Sequence, residues 1–249
     1  MPITSKTGSG AVRLLVINPN STVAFTEHIA TELASDLPDS YEVTFYTAPA
    51  SAPASIESMG DGIVTAAACL EELHADDLAQ YHGAVVACFS NHPLVHALRE
   101  EVAYPVVSIL EAPLLMGAQL GAHVGILTTS PRWESLLAHD VATLGLSGKN
   151  TAGVVSSGFS VLDLERKSPA EVGDRLVQIA LDEFYRKRKA DVLILGCAGM
   201  VGFVEQLRDK IPADDMVVLE PVRCAFEMCV ALVRSRARTS KGGIYAKPP

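Results

Sequence analysis

Two cysteines stand out for what precedes and follows them. Cys88 lies in the apolar run GAVVACF (residues 83–89), which breaks at Ser90-Asn91-His92-Pro93. Cys197 follows ADVLILG (residues 190–196) and leads into Ala198-Gly199-Met200. Each run reads as a buried strand, and each sequel as a turn or a helix start. In sheets covered by helices, ligands collect at the carboxyl ends of the strands, so both thiols are expected where ligands bind. A thiolate there can take a proton from a carbon beside a carbonyl while a second thiol donates one to the opposite face. The carbon is inverted, and the two groups exchange roles in the reverse direction. Donors must also stabilise the enolate, and backbone N–H groups at helix starts can supply them. Neither a metal nor an organic cofactor is required. Against this stands the ordinary behaviour of cysteine as a small buried hydrophobe. Cys69, Cys224 and Cys229 read that way. The matching contexts of Cys88 and Cys197 leave packing and chemistry both open.

The elements that would position these thiols alternate along the chain. Strands are expected over residues 12–17, 41–46, 83–89, 105–110, 123–128, 191–195 and 216–219. Helices are expected over 22–33, over 60–72 (carrying Ile63, Ala66, Ala67 and Leu70), after Pro93, after Ser130-Pro131, after Ser168-Pro169, and over 224–233. Ser168-Pro169-Ala170-Glu171 is a capping box with proline at the first helical position. Its helix carries Val172, Leu176, Ala180 and Phe184 on one stripe. The fold class is therefore α/β, with mainly parallel sheets flanked by helices. The segments GAVVACFSNHP and ADVLILGCAGM echo one another, and their cysteines are 109 residues apart. That suggests two pseudo-symmetric lobes with a site in the cleft between them. The first lobe is expected over residues 11–115 plus 222–236 and the second over 116–221. Residues 1–10 and 237–249 read as tails.

The chain has 249 residues, 49% of them apolar, and a formal net charge of −9. An acidic chain without a basic stripe is a poor partner for nucleic acid or anionic membranes. Its one basic run, Arg186 to Lys189, reads as a solvated helix end, where cations suit the dipole. No apolar run is long enough to span a bilayer, and the N-terminal segment lacks a signal core. Five scattered cysteines do not make a disulfide framework, so the expected location is the cytoplasm. His92 and His96 stand four apart, but no further ligand motif accompanies them, and they read as surface or rim histidines rather than a metal site. His28, His74, His82, His123 and His139 lack ligand spacing. There is no dinucleotide-binding glycine turn, nucleophile elbow or phosphate loop. Trp133 reads as packing.

The segments LLVINPNST (14–22), APASIES (52–58), VVACFSNHPLV (85–95), VGILTT (124–129), VLDL (161–164), LILGCAGM (193–200) and TSKGGIYA (239–246) together resemble the hydantoin and allantoin racemase branch of the aspartate/glutamate racemase superfamily, particularly its fungal members. The resemblance spans nearly the whole chain. It implies two α/β lobes, a cofactor-independent two-cysteine mechanism, a small-molecule substrate and a homo-oligomer. The two bases fall on Cys88 and Cys197. Substrate contacts fall on Asn18, Phe89, Ser90, Asn91, Thr128, Thr129, Ala198 and Gly199. Neutral donors of this kind suit the carbonyl and N–H groups of a hydantoin ring. Resembling sequences often carry aspartate where this chain has Asn91, which cannot act as a base and reads here as a helix cap or a substrate contact. Two other readings stay open: a decarboxylase or cis–trans isomerase of the same superfamily, and a non-catalytic binding protein that retains the pocket.

Overall fold

The computed structural model describes residues 3–8, 12–34, 37, 39–73, 75–149, 151–212 and 214–246. The remaining positions of the expected tails, and His74, lie outside the described residues. In chain order the elements are β1 (Ile3–Gly8), β2 (Val12–Asn18), α1 (Val23–Ala34), β3 (Tyr41–Thr47), α2 (Met59–Glu72), α3 (Ala75–Leu78), β4 (Gly83–Val86), α4 (Pro93–Glu101), β5 (Val106–Ser108), α5 (Glu111–Gly117), β6 (Val124–Thr128), α6 (Pro131–Thr143), β7 (Gly153–Ser156), α7 (Asp163–Arg166), α8 (Pro169–Ile179), β8 (Val192–Leu195), α9 (Val204–Arg208), β9 (Val217–Leu219) and α10 (Pro221–Arg234).

The chain divides into two units. One comprises residues 1–88, 92–109 and 225–249, the other residues 89–91 and 110–224. The first unit holds a five-stranded sheet in the order β1-β3-β2-β4-β5, and the second a four-stranded sheet in the order β7-β6-β8-β9. All pairings are parallel except that of β1 with β3. With β1 set aside, both sheets place their strands in the sequence order second, first, third, fourth. The pseudo-symmetry is thus one of topology. Parallel strands covered on both faces need continuous apolar runs; Leu14 to Ile17 and Val192 to Leu195 are such runs, each fully buried. Leu15, Ile17, Tyr46, Val86 and Leu94 centre the first core, and Leu127, Leu176, Phe184, Leu193 and Leu195 the second.

Some expectations are corrected. The polar opening segment, read as a tail, supplies the edge strand β1, held by backbone pairing that composition does not reveal. On α2 the buried residues are Gly62, Thr65, Ala66 and Cys69, whereas Ile63 is exposed. The helix is turned because Thr65 serves a buried hydrogen bond described below. The stripe through Val172, Leu176, Ala180 and Phe184 is buried as expected, but α8 passes at Ala180 into a π-helical stretch, Ala180–Arg188. Its basic end is solvated. Arg186 pairs with Asp182 and Lys187 with Glu183 one turn back.

The segment after α10 is tied down on α4. Thr239 donates its N–H to the Ala103 carbonyl (2.9 Å) and its hydroxyl to that of Tyr104 (3.0 Å). Lys241 Nζ donates to the carbonyls of Arg99 and Glu100, in the last turn of α4. The Tyr245 hydroxyl accepts from Arg99 and bonds the His96 ring. No described helix is long and apolar enough to cross a membrane.

Candidate active site

In each sheet the first and third strands are neighbours whose connections leave in opposite directions. The carboxyl ends at such a switch point form the natural binding crevice. In the first unit these strands are β2 and β4. Ile17 is level with Val86, and Ala87 N–H continues the ladder onto the Ile17 carbonyl at 2.8 Å. Cys88 therefore comes off the carboxyl edge beside Asn18, half-buried and as a thiol. Asn18 is buried. Its amide nitrogen lies 3.2 Å from Asn20 Oδ1, 3.1 Å from the Thr22 carbonyl and 3.0 Å from Thr26 Oγ1, while its Oδ1 accepts Asn20 N–H. These bonds hold the Asn-Pro-Asn turn closed, so Asn18 shapes the edge through its neighbours. Thr26 in turn meets Thr47, the residue level with Asn18 on β3, at 2.7 Å. Ser21 and Thr22 donate to the carbonyls of Ala52 and Ala54, fastening the APASIES loop against the turn.

After Cys88 come Phe89 and Ser90, both buried, and then Asn91, half-buried. The helix cap is not Asn91. Pro93 occupies the first helical turn, and a residue before proline is driven to extended backbone. His92 meets that condition (φ −72, ψ 129), and its ring accepts the Leu94 N–H through Nδ1 at 3.3 Å. Nε2, the protonated nitrogen in that tautomer, donates to Thr65 Oγ1 at 3.1 Å, and Thr65 donates to the Gly62 carbonyl. His92 is 1% exposed, a correction to the surface reading, and burial holds it near a pKa of about 4. It is a neutral structural cap with both nitrogens engaged. Asn91 instead donates its backbone N–H to Asp140 on α6 at 2.9 Å. Burial raises the pKa of that carboxyl, and the N–H opposes the rise. Among the described residues no three His, Cys, Asp or Glu side chains gather as a metal site would require.

In the second unit the equivalent strands are β6 and β8. Thr128 ends β6, with Thr129 beside it, both 1% exposed. Thr128 donates to the Gly196 carbonyl, and Gly196 N–H to that of Leu127 at 2.7 Å. A Cβ on residue 196 would stand 2.7 Å from Ile126 and 3.1 Å from the Leu127 carbonyl, so only glycine allows β8 to end this close to β6. Cys197 follows, half-buried, in extended backbone (φ −160, ψ 138), and itself caps a short 3₁₀ turn, Ala198–Met200. Its Sγ accepts the Gly199 N–H at 3.4 Å. Ala198 and Gly199 are half-buried at this edge.

Sequence reasoning missed several polar residues at the two edges. Ser157, after β7, donates to the Thr129 carbonyl and is 2% exposed. Glu220, after β9, is buried and spends both carboxylate oxygens on the first N–H groups of α10, those of Val222 and Arg223. Glu-Pro at a strand exit was the available signal for that cap. The other cysteines are packing residues. Burial lifts the thiols of Cys69 and Cys229 to about 12, which keeps them protonated, and Cys224 is buried.

Each edge thus presents a half-buried thiol beside buried hydroxyl and amide groups and backbone donors. Such groups suit proton transfer at a carbon next to a neutral carbonyl. The Asp/Glu/Hydantoin racemase family profile matches residues 14–229. An uncharacterised protein of Schizosaccharomyces pombe is 36% identical, over 94% of this chain and 97% of its own length. A hydantoin racemase of Paenarthrobacter aurescens is 30% identical over 95% of this chain and 98% of its own. Among solved structures, an allantoin racemase from Klebsiella pneumoniae superposes with a TM-score of 0.83 at 29% identity, covering 96% of this chain and 94% of that one. The topology and these likenesses agree: the chain belongs to the Asp/Glu/hydantoin racemase family and is an isomerase with a racemase's role.

Proposed function

We propose that the protein inverts the stereocentre of a hydantoin-type ring, allantoin or a 5-substituted hydantoin, with Cys88 and Cys197 as a general acid–base pair. The observation that carries this reading is that Cys88 and Cys197 each lie two residues past the end of the equivalent strand, β4 or β8, at the switch point, where a substrate is expected to bind. In one direction a thiolate removes the proton from the ring carbon between the ring nitrogen and the carbonyl. The electron pair moves onto the carbonyl oxygen as an enolate. The opposite thiol then protonates the far face and is left as thiolate, ready for the reverse reaction. Each proton lost is replaced, so no oxidant, metal or organic cofactor enters the balance.

Backbone and side-chain groups at Asn18, Phe89, Ser90, Asn91, Thr128, Thr129, Ala198 and Gly199 are the assigned substrate contacts. Such neutral donors suit uncharged ring carbonyls, whereas a free amino acid would ask for counter-ions to its carboxylate and ammonium. A reducing compartment such as the cytoplasm and a homo-oligomeric assembly fit this reading. The test is to incubate single enantiomers of allantoin and of 5-substituted hydantoins in deuterated water. Decaying optical rotation with deuterium entering at the stereocentre is expected. Constant rotation across the panel rejects the substrate class, and release of carbon dioxide from an arylmalonate or conversion of maleate to its trans isomer would place the protein with the other chemistries of its superfamily.

A further inference from the structure

The amino edge of the first unit's sheet holds a feature that proton transfer does not use. Tyr81 and His82 lie just ahead of β4, residues 101–104 just ahead of β5, and residues 233–238 at the end of α10. Together they enclose a cleft of about 570 Å³. That volume falls within the ordinary range of small-molecule sites. Cys88 leaves the other end of β4, six residues from His82, which is roughly 20 Å of extended chain.

The cleft is lined by the apolar side chains of Val102, Ala103 and Ala237 and by the charged ones of Arg236, Arg238 and Glu101. Neither guanidinium makes a hydrogen bond or ion pair with a described residue. His82 accepts the Arg13 N–H through Nδ1 at 3.0 Å, which leaves Nε2–H as a donor. Tyr81 and Tyr104 line it too, and their hydroxyls are buried without a partner among the described residues. Such orphaned hydroxyls are rare and ask for an explanation.

Arg236 adds an independent sign. It adopts φ 58, in the left-handed region, and its N–H bonds the Val233 carbonyl while Ala237 N–H bonds that of Leu232. This is the helix-ending motif in which glycine is the ordinary residue. An arginine there is strained, and a strained position that keeps its side chain points to a use for it. The negative ends of α4 and α10 face this edge, but the bonds from Lys241 and the α10 capping pair engage carbonyls of their last turns.

We propose that this cleft is a second binding site, for a small organic carboxylate. Its oxyanion sits between Arg236, Arg238 and the His82 Nε2–H, and its apolar body lies on Val102, Ala103 and Ala237. A bare inorganic anion would meet the charges and leave most of the cleft unfilled.

The test is titration of the full chain with phenylacetate, followed by calorimetry and by the arginine side-chain NMR signals. Saturable binding with shifts at Arg236 and Arg238 is expected. Arg236→Gly should weaken binding about tenfold or more while raising the melting temperature, since glycine removes the strain without breaking the cap. Arg238→Gln should weaken binding similarly with the melting temperature unchanged. Cys88→Ser should bind phenylacetate as the parent does, which separates this cleft from the thiol site, and inorganic phosphate should bind more weakly. The proposal is overturned by an absence of saturable binding up to about 20 mM, by arginine variants that bind like the parent, by loss of binding in Cys88→Ser, or by phosphate binding as tightly as phenylacetate.

Discussion

Cys88 and Cys197 leave equivalent strands of equivalent sheets, yet the chain treats them differently. After Cys197 it turns at once. The cysteine is its own cap, and its sulfur accepts the Gly199 N–H. After Cys88 it runs on through four residues before a regular nine-residue helix, and the last of them, His92, does the capping. One thiol is thus built into the start of its helical turn, while the other stands ahead of a helix braced by a buried imidazole. A hydrogen bond donated to sulfur, such as that from Gly199 to Cys197, stabilises negative charge there. The comparison teaches that matching topology fixes where a reactive group emerges, and the local turn then sets its electrostatic surroundings.

The largest test of this contrast is removal of each thiol. Cys88→Ala and Cys197→Ala should each lower racemisation by about 10³-fold, measured by polarimetry, because inversion needs both an acid and a base. A variant that keeps most of its turnover breaks the equivalence of the two sites. Next in size is His92. Its ring is neutral in the fold and has a lowered pKa, so its stabilisation is complete above pH 6.5 and is lost as pH falls toward about 4. Linkage puts the loss at roughly 3 kcal/mol, and His92→Gln should flatten that part of the stability–pH curve in urea unfolding. An unchanged slope would show that the ring is not held neutral. The smallest effect concerns Gly199. Gly199→Pro deletes the N–H that reaches Cys197 and should slow iodoacetamide alkylation of that thiol at neutral pH about 3- to 10-fold, leaving Cys88 unaffected. Equal slowing at both thiols, read by mass spectrometry, would dissolve the distinction.

Apolar runs, and alternation over residues 41–46, made seven of the nine strands among the described residues legible, and with them the two exits that carry the cysteines. The two missing strands show why pattern alone stops there. β7 is four half-buried residues, GVVS, too short and too little buried to stand out, and β1 is polar and joins its sheet through the backbone. The stripe on α2 was misphased because Thr65 is buried by a hydrogen bond to a residue 27 positions away. The cap before α4 was read as Asn91 because asparagine is the commoner capping residue, whereas the proline that follows selects His92. Asn20, Thr26, Thr47, Ser157 and Glu220 are ordinary polar residues in sequence, and only strand register brings them to the sheet edges.

The first unit is discontinuous. Its sheet is made from the early part of the chain, but Ala225 to Arg234 and the segment that fastens onto α4 come last. During synthesis β2 to β5 emerge long before Cys229 and Val233 arrive to pack against Gly83 and Ala84 of β4. The second unit, almost continuous between residues 110 and 224, has its whole core available first. Domains generally mature in the order they are translated. Here that order should be reversed, and a released chain truncated after residue 224 should hold a protease-resistant second unit and a still-digestible first.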